Sequence, residues 1–498
     1  MKRAICILLT LCIIFISGCA QNANESSKSN ISTEVLEETS ANSSVESTTS
    51  DNSTTSEDIT TSKDSTSSKD TTTSKDSTTS KDTTTSKDST SSKDTTTSKD
   101  STTSKEPGTK PENKQVHDIA KIYIEIDTDI IREDYRDCSL TIVDVDDNKI
   151  TDSESKIKIR GNSTASGAKK PYNFKLSEKR DVLGLGVGKK WCLLANCYEK
   201  TLIRNKMVLD FAREATKLSY TPDSMFVDVY LNGKLSGNYI LCEAVEVSSS
   251  RVDIDTDKNE FLLERDIRIE EDVVYVVSPI YQIRFAINEP EEPTQEQLDW
   301  IMNFLEEAET ALGTWDGGAI SKYFDIESMV DFYIVLEYFK QVDVNVSSTR
   351  FYIKDGKIHG GPVWDYDLTM GNCSDKNYSE YNNSNGSGKS SEGFYCNVDW
   401  YNPLQQCEEF KQLRNQRYLE LQDSITALYR GGNSYIKTIT EKYKASFARN
   451  YKEAGWDIAH AYSEYERKPE KTYEKNVEYL ATWLKERNEW LLKAWNLK

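Results

Sequence analysis

The chain has 498 residues and a formal net charge of −20 at pH 7. A chain with this negative charge is repelled by the phosphates of DNA and RNA. We therefore expect no nucleic-acid partner. Length alone would suggest about three domains. That number is too high here, because the first 115 residues do not have the composition of a folded domain.

The amino terminus has the pattern of a bacterial lipoprotein signal peptide. Lys2 and Arg3 precede an apolar run over residues 4–16, which is too short to cross a bilayer comfortably. The run ends in ISGC, so we expect residues 1–18 to be removed and Cys19 to carry lipid. Lipid would hold the protein on the outer face of the bacterial cell membrane, since each buried methylene contributes ~0.8 kcal/mol. The alternative is an ordinary secretory signal peptide with an incidental cysteine.

Residues 19–115 are predicted to form a disordered stalk. They are mostly Ser, Thr, Asn, Lys, Asp and Glu, and from about Thr61 to Lys105 the motifs TSKDST and TSKDTT alternate with a period of six. This period matches neither a solenoid unit nor a heptad. With almost no large apolar side chains, the segment cannot offset the entropy lost on ordering. A functional alternative is that its hydroxyl groups carry glycans or that it threads a cell wall.

The folded domain is predicted over residues 116–498, which is long enough for a substantial core. Seven of the ten cysteines lie in this domain, and an odd number leaves at least one outside an intrachain disulfide. Cys192 could pair with Cys197, and Cys373 with Cys396, but the sequence does not decide. The absence of CxxC spacing argues against a structural zinc site.

The first half of the domain is predicted to be rich in strands. Apolar and polar residues alternate in IAKIYIEID and in several later segments, as expected for half-buried strands. Asn232-Gly233 is a good hairpin turn, and the apolar spacing within 201–218 predicts a helix. The predicted strands are 119–127, 139–146, 155–161, 172–176, 191–196, two strands within 225–247, 260–265, 272–278 and 281–287.

The second half is predicted to be mainly helical. Helices are expected at 293–312 and 326–342, a hairpin at 348–367 turning at Asp355-Gly356, and further helices from 402 to the end. Strands followed by helices predict an α+β fold in two lobes, with an N-lobe over about 116–290 and a C-lobe over about 291–498.

Three aspartates in the second half form a candidate metal and catalytic group. Asp365 and Asp367 lie in VWDYDLTMGN, where a buried strand is expected to end, so their carboxylates would share a face and suit a hard cation such as Mg²⁺. Asp343 lies twenty-two residues before Asp365, at the end of the 326–342 helix. This order is kinase-like: the first aspartate takes the substrate hydroxyl proton and the second holds the metal on the phosphates. The alternative is that all three are solvated turn residues.

A basic, flexible segment in the first half is a candidate phosphate site. The sequence RGNSTASG lies between two predicted strands, and its backbone amides and Arg160 could approach phosphate oxygens. Lys169, Lys170 and Lys175 follow, with Lys175 in the strand-like YNFKL. The alternative is a basic loop that only increases solubility.

The sequence resembles the CotH family of spore-coat-type protein kinases over about residues 155–430. The motifs that carry this resemblance are RGNST…KKPYNFKL, WCLLANCYEKTLIRNK, VDVYLNGKLSGNYILCEAVE and LEYFKQVDVNVSSTRFYIKDGKIHGGPVWDYDLTMGN, in that order. The family is an atypical, secretory-type protein kinase with a two-lobed, kinase-like fold. The resemblance implies transfer of phosphate from ATP to Ser or Thr, with Mg²⁺ or Mn²⁺ as the metal.

The resemblance also assigns roles to the aspartates and lysines. Asp343 corresponds to the catalytic aspartate and Asp365 to the metal aspartate, and Asp367 matches the second acidic position of the WDxD motif. Lys170 and Lys175 are both candidates for the lysine that contacts the nucleotide, and the sequence does not choose between them.

Three further positions match the family pattern, and one departs from it. Arg204 and Asn205 match the LRN-type helix that supports the phosphate site, and Glu243 matches an acidic position near the adenine. Many members carry asparagine a few residues after the catalytic aspartate, where this chain has SST at 347–349 and places Asn345 earlier. This departure puts metal binding by that residue in doubt.

The predicted function is therefore that of a surface-tethered kinase for Ser or Thr of an extracytoplasmic protein. ATP is scarce outside the cytoplasm, so the first alternative is an inactive kinase-like module for surface binding or assembly. A second alternative is a glycosyltransferase that uses D-x-D, although nothing in the first half resembles a nucleotide-binding βαβ unit. Several aromatic residues could stack on glycans or belong to a lid or the core: Tyr378, Tyr381, Phe394, Tyr395, Trp400 and Tyr401.

Overall fold

The computed structural model describes residues 116–268, 273–375 and 387–497. The predicted signal peptide, Cys19 and the stalk lie outside the described residues. The first part of the described chain forms a closed barrel of seven strands in the order β1-β2-β3-β4-β5-β7-β6. The strands are β1 (Ala120–Glu125), β2 (Arg136–Val143), β3 (Lys149–Ile159), β4 (Tyr172–Asp181), β5 (Val187–Leu194), β6 (Ser224–Leu231) and β7 (Lys234–Glu243).

Antiparallel pairing around the barrel is closed by the parallel pair β1 and β6. Alternate residues fill the interior: Ile122 and Ile124 of β1 are fully buried, as is Phe174 of β4. Lys175, between Phe174 and Leu176, is therefore on the outer surface. Closure pairs the outer strands with each other and so leaves no exposed sheet edge.

A second sheet of five strands has the order β12-β11-β8-β10-β9. Its strands are β8 (Phe261–Arg265), β9 (Tyr275–Val277), β10 (Arg284–Glu289), β11 (Thr349–Lys354) and β12 (Lys357–Gly360). The hairpin β11–β12 pairs with β8, so one sheet joins chain segments from both sides of residue 290. The two hairpins predicted at Asn232-Gly233 and Asp355-Gly356 are confirmed.

Helices make up most of the chain after β10. In chain order the helices are α1 (Ser163–Ser166), α2 (Arg204–Ala215), α3 (Gln295–Thr314), α4 (Gly317–Ile320), α5 (Ile326–Phe339), α6 (Tyr401–Leu404), α7 (Glu408–Glu420), α8 (Gln422–Tyr429), α9 (Tyr435–Lys442), α10 (Lys444–Lys452) and α11 (Tyr473–Ala494). The predicted α+β class is therefore confirmed. None of the described helices combines the length and the apolar character needed to cross a membrane.

Helix α5 is the central helix of the helical part. The side chain of Asp325 caps its first turn by accepting a hydrogen bond from the Ser328 N–H. Every residue from Ser328 to Phe339 is buried, because the helix is mostly apolar and its two buried acidic residues form ion pairs with Arg417 and Arg487. Lys340 adopts a left-handed conformation with φ of 57° and ends the helix three residues before Asp343.

Buried polar contacts connect the barrel to α10. Arg449 forms an ion pair of 2.7 Å with the fully buried Asp228 of β6. The side-chain oxygen of Asn450 accepts hydrogen bonds from the backbone N–H of Asn238 (3.1 Å) and from Lys169 Nζ (3.0 Å). Complete burial lowers the pKa of Lys169 to about 7. These contacts fix the barrel against the carboxyl-terminal helices.

Neither of the two possible disulfides forms. Cys192 and Cys197 are buried free thiols, and Cys396 is a free thiol inside the helical core. Since Cys192 lies on β5 and Cys197 beyond its end, the two side chains occupy different surroundings. The described domain is held together by packing and polar contacts.

A fully buried ion pair joins Glu337 of α5 to Arg487 of α11. Arg487 also donates to the carbonyls of Ser391 (3.0 Å) and Gly393 (2.8 Å). We expect Arg487→Met to lower the free energy of unfolding by about 3–5 kcal/mol, because it leaves a buried carboxylate without its counter-charge. Urea unfolding followed by circular dichroism measures this change.

Lys485 provides the matched control on the same helix. Its ion pair with Glu489 is solvent-exposed, with 57 % and 50 % of the two side chains accessible. Lys485→Met should therefore change the free energy of unfolding by no more than about 0.5 kcal/mol. Equal changes in the free energy of unfolding for Arg487→Met and Lys485→Met would contradict the larger effect expected for the buried ion pair.

Candidate active site

A cavity of about 630 Å³ lies where the barrel meets the loops around β11 and β12. This volume is within the range of ~300–1,000 Å³ that is typical of small-molecule sites. Acidic and basic side chains line it together, as expected for a site that binds both a cation and an anion. The acidic residues are Glu133, Glu264, Asp266, Asp343, Asp365 and Asp367, and the basic residues are Arg132, Lys158, Arg160, Arg268 and Arg350.

Asp343 lies in the turn between α5 and β11. Its backbone carbonyl accepts hydrogen bonds from the N–H groups of Val346 (2.8 Å) and Ser347 (3.0 Å), which fixes the turn. The side chain is half-buried and faces the cavity. Burial, followed by repulsion from the nearby Asp365, raises the pKa of Asp343 to about 7. A carboxyl group with this pKa can both accept and release a proton near neutral pH.

Asp365 and Asp367 lie in a loop rather than at the end of a strand. Strand β12 ends at Gly360, and residues 361–366 belong to no helix or strand. Pro362 explains the early end, because proline has no N–H for the strand ladder. Asp365 has a left-handed backbone with φ of 66°, and Ser348 Oγ donates to its carboxylate at 3.3 Å. Both aspartates line the cavity, although not through strand alternation.

Gln341 joins the loop of Asp343 to the loop of Asp365. Its side-chain amide donates to the backbone carbonyls of Trp364 (3.0 Å) and Asp365 (2.6 Å). Its side-chain oxygen accepts from the backbone N–H of Asp343 at 3.2 Å. One buried side chain therefore sets the spacing between the two candidate functional aspartates.

Two asparagines hold the Asp365–Asp367 loop from its other side. Asn205 of α2 accepts a hydrogen bond from the backbone N–H of Tyr366 at 2.6 Å, and it lines the cavity. The side-chain amide of Asn372 donates to the carbonyls of Tyr198 (2.8 Å) and Asp367 (2.7 Å). These contacts hold the loop in place without using either carboxylate.

Asp367 is buried, with 8 % of its surface exposed. Burial is the main cause that raises the pKa of Asp367 well above its usual value, and repulsion from Asp365 and Asp343 adds to it. Burial and the two neighbouring carboxylates therefore disfavour the charged form of Asp367, and a bound cation would offset the repulsion.

The carboxylates of Asp365 and Asp367 are candidate ligands for a divalent cation. Among the described residues, no three or more His, Cys, Asp or Glu side chains are close enough to enclose a metal ion without other ligands. Mg²⁺ is usually held by one or two carboxylates, with phosphate oxygens and water as its other ligands. Asp365 and Asp367 fit this open kind of site, since both face a cavity in which their mutual repulsion favours a cation.

The loop RGNST also lines the cavity, as predicted for a candidate phosphate site. Gly161 has φ of 89°, and a Cβ there would come within 2.2 Å of the Thr164 side chain. The loop therefore needs glycine at this position. Arg160 also lines the cavity, with its guanidinium carbon 5.1 Å from the centre of the Trp364 ring.

Four of the other predicted ligand-binding residues lie outside the cavity lining. Lys170 Nζ donates to the Ala165 carbonyl at 2.7 Å, and Lys175 Nζ lies 4.1 Å from the centre of the Tyr135 ring. Arg204 is buried in an ion pair with Glu199.

Glu243 also lies away from the cavity, on the last position of β7. Its carboxylate accepts a hydrogen bond from the Asp223 N–H at 2.9 Å and pairs with Arg251 at 3.3 Å. Burial raises the pKa of Glu243. These contacts occupy the carboxylate with partners from its own surroundings.

Gln341, Trp364 and Arg350 were not predicted as site residues. Two of them are unusual in their local sequence: Gln341 follows an apolar helix, and Arg350 is the second residue of an apolar strand. Only the tertiary structure brings Arg350 and Trp364 to the cavity lining and Gln341 to the backbone of Trp364.

The comparison with protein families agrees with this architecture. A family model described as CotH kinase protein matches residues 157–491. The chain belongs to the CotH family. The match covers the second half of the barrel, the second sheet and almost all the helices, and thus every aspartate of the cavity. A search of curated protein sequences found no significant match.

The aromatic residues of the CotH domain that were considered for glycan stacking are mostly core residues. Tyr395, Trp400 and Tyr401 are at most 2 % exposed, and Phe394 packs against the same core. Tyr395, Trp400 and Tyr401 are therefore not available to stack on a ligand. Tyr378 and Tyr381 lie outside the described residues.

The raised pKa of Asp343 predicts a pH-dependent stability in metal-free protein. The unfolded chain loses this proton at a pKa of ~3.9, whereas the folded CotH domain holds it up to about pH 7. The stability contributed by the protonated form is therefore complete below ~pH 4 and is lost as the pH rises through 7. We expect Asp343→Asn to raise Tm relative to wild type by an amount that grows from pH 4 to 7 and then levels off.

Thermal unfolding in EDTA at several pH values measures this difference. Asp129→Asn, at an exposed position after β1, is the control and should show a Tm difference that does not vary with pH. A pH-independent difference for Asp343→Asn would show that the electrostatic account of the cavity is wrong.

Proposed function

We propose that this CotH-family protein transfers the γ-phosphate of ATP to Ser or Thr of an extracytoplasmic protein, with Mg²⁺ or Mn²⁺. The observation that carries the proposal is the presence of Asp343 and Asp365 in one cavity with basic side chains. Family membership supports the same chemistry, because the matching model describes a kinase protein. Phosphoryl transfer asks the protein mainly to position the reactants and to neutralise charge, and the mixed lining suits both tasks.

Asp343 is the proposed group that accepts the proton of the substrate hydroxyl. It faces the cavity from a fixed turn, and its pKa of about 7 suits a group that takes up a proton near neutral pH. Asp365, with Asp367, is the proposed metal-binding pair. When bound, Mg²⁺ would offset the charge of the carboxylates and phosphates.

The RGNST loop and the arginines are proposed to face the phosphates. Gly161, Asn162 and Ser163 line the same cavity as the aspartates, so the loop is available to contact a polyanion that balances the cation. Asn205 and Gln341 would act indirectly, by holding the loop that carries Asp365. Arg204 would support α2 through its ion pair with Glu199.

The proposed location is the outer face of the cell membrane, through lipid on Cys19. This rests on the lipoprotein-like sequence at residues 1–20. We expect Cys19→Ala to move the protein from the detergent phase to the aqueous phase in a Triton X-114 partition, because no lipid is attached. Cys12→Ala, which changes a cysteine within the apolar run, should leave the partition unchanged. Detergent-phase partition of both variants would contradict the assignment of Cys19.

Nucleotide binding without turnover remains the competing function. One observation favours it: SST at 347–349 stands where many family members carry asparagine. A site without this possible metal ligand can bind a metal–nucleotide complex without holding it in the geometry that reaction needs. Nothing in the described residues supports the glycosyltransferase alternative over these two.

Phosphoryl transfer is tested with labelled ATP, Mg²⁺ or Mn²⁺ and the full chain. We expect Asp343→Asn to lower the rate of transfer by ~10²–10⁴-fold while metal-dependent ATP binding remains, since general-base contributions are of this size. Asp365→Asn should abolish the metal-dependent rise of Tm in ATP, because it removes a metal ligand. Label incorporation and thermal unfolding are the two measurements.

Asp129→Asn is the control for both and should behave as wild type. Equal label in wild type and the Asp343 and Asp365 variants would contradict the proposed catalytic site. A metal-dependent Tm rise in ATP without any label would favour binding without turnover.

A further inference from the structure

Arg350 is a cavity residue whose hydrogen-bond donors are incompletely satisfied. It is the second residue of β11, it is 8 % exposed, and it lines the cavity. Its Nη2 donates to Glu264 Oε2 at 3.0 Å, whereas Nε and Nη1 are buried and have no acceptor among the described residues. Buried charged donors without acceptors are costly. The two groups therefore point to an acceptor from outside the described chain.

The surroundings of Arg350 hold its guanidinium in one place. Glu264 is its cross-strand partner on β8, so the ion pair follows the sheet register. The guanidinium carbon lies 5.2 Å from the centre of the buried Trp364 ring, a distance typical of a cation–π contact. The backbone of Trp364 is in turn fixed by Gln341. Arg350 is thus pre-positioned, and a ligand would not have to order it.

We propose that Arg350 binds the phosphate groups of the nucleotide, with Arg160 as the second cation. This inference rests on the proposed function and names the phosphate-binding residue of that same site. The planar fork of a guanidinium matches two phosphate oxygens, and its charge does not titrate. The lysines first considered for this role, Lys170 and Lys175, do not line the cavity.

Polyphosphate is favoured over a carboxylate ligand by the charges around Arg350. Asp343 and Asp365 line the same cavity as Arg350, so a carboxylate ligand would add a further negative charge beside them. A polyphosphate enters with a divalent cation that offsets these charges. Arg350 then contacts phosphate oxygens that the cation leaves uncovered.

The test is isothermal titration of the full chain with ATP and, separately, with inorganic triphosphate, each with Mg²⁺. Arg350→Lys keeps the charge but removes the fork. We expect it to raise the Kd for both ligands by about tenfold or more, as for a lost hydrogen bond between charged groups. If this variant does not fold by circular dichroism, Arg350→Gln, which keeps a planar donor beside Glu264, takes its place with the same expectation.

Arg265→Lys is the matched control. Arg265 lies on the neighbouring strand β8, pairs with Asp399 at 2.9 Å and does not line the cavity. Its substitution changes an arginine of similar burial in the same sheet. We expect the Kd for ATP and for triphosphate to stay within about twofold of wild type.

The outcomes separate this inference from the proposed function. If wild type binds ATP and Arg350→Lys changes the Kd by less than twofold, the role of Arg350 is overturned and the kinase proposal stays intact. Binding of triphosphate but not ATP, with loss in Arg350→Lys, supports the phosphate role and overturns the kinase proposal. Wild-type binding of neither ligand overturns both.

Discussion

Repulsion between carboxylates in one half-buried cavity is the constraint that the rest of the site serves. Burial, and then repulsion from neighbouring carboxylates, raises the pKa values of Asp343 and Asp367. Without other contacts, this repulsion would push apart the loops that carry the aspartates. Hydrogen bonds between neutral side chains and the backbone oppose this separation. Gln341 joins the loop of Asp343 to the loop of Asp365, and Asn205 holds the backbone of the Asp365–Asp367 loop. Amide side chains suit this task, because they donate and accept without adding charge.

The position of this scaffold explains why α5 is so deeply buried. Gln341 and Asp343 follow its last turn, so any movement of the helix would change the spacing of the aspartates. The helix is anchored by the Glu337–Arg487 pair at 0 % exposure. A buried ion pair is weak support for stability as such. Its value here lies in fixing one orientation of the helix, and with it the turn that carries Asp343.

Local sequence patterns predicted most helices and strands, but they did not predict where every side chain lies. The hairpins at Asn232-Gly233 and Asp355-Gly356 are specified by turn chemistry, and the apolar run of α5 by composition alone. The strand expected before Asp365 was wrong, because Pro362 ends the ladder and the aspartate adopts a left-handed backbone instead. Lys175 alternates with buried neighbours as expected, but it lies on the outer surface of the closed barrel and does not line the cavity. Closure of a sheet is a property of distant pairings, such as β1 with β6, that no local pattern contains.

This arrangement concentrates the proposed chemistry in a short stretch of chain. Gln341, Asp343, Arg350 and Asp365 all lie between the end of α5 and the loop after β12, whereas Arg160 and the RGNST loop come from the barrel. In a site divided between two bodies, a hinge motion would separate cation from anion. Here the contacts of Asn450 with Asn238 and Lys169 also fix the barrel to the helical part. The cavity is therefore best suited to a ligand that enters between loops. Binding of a divalent cation with its phosphates, rather than domain closure, would relieve the repulsion between the carboxylates.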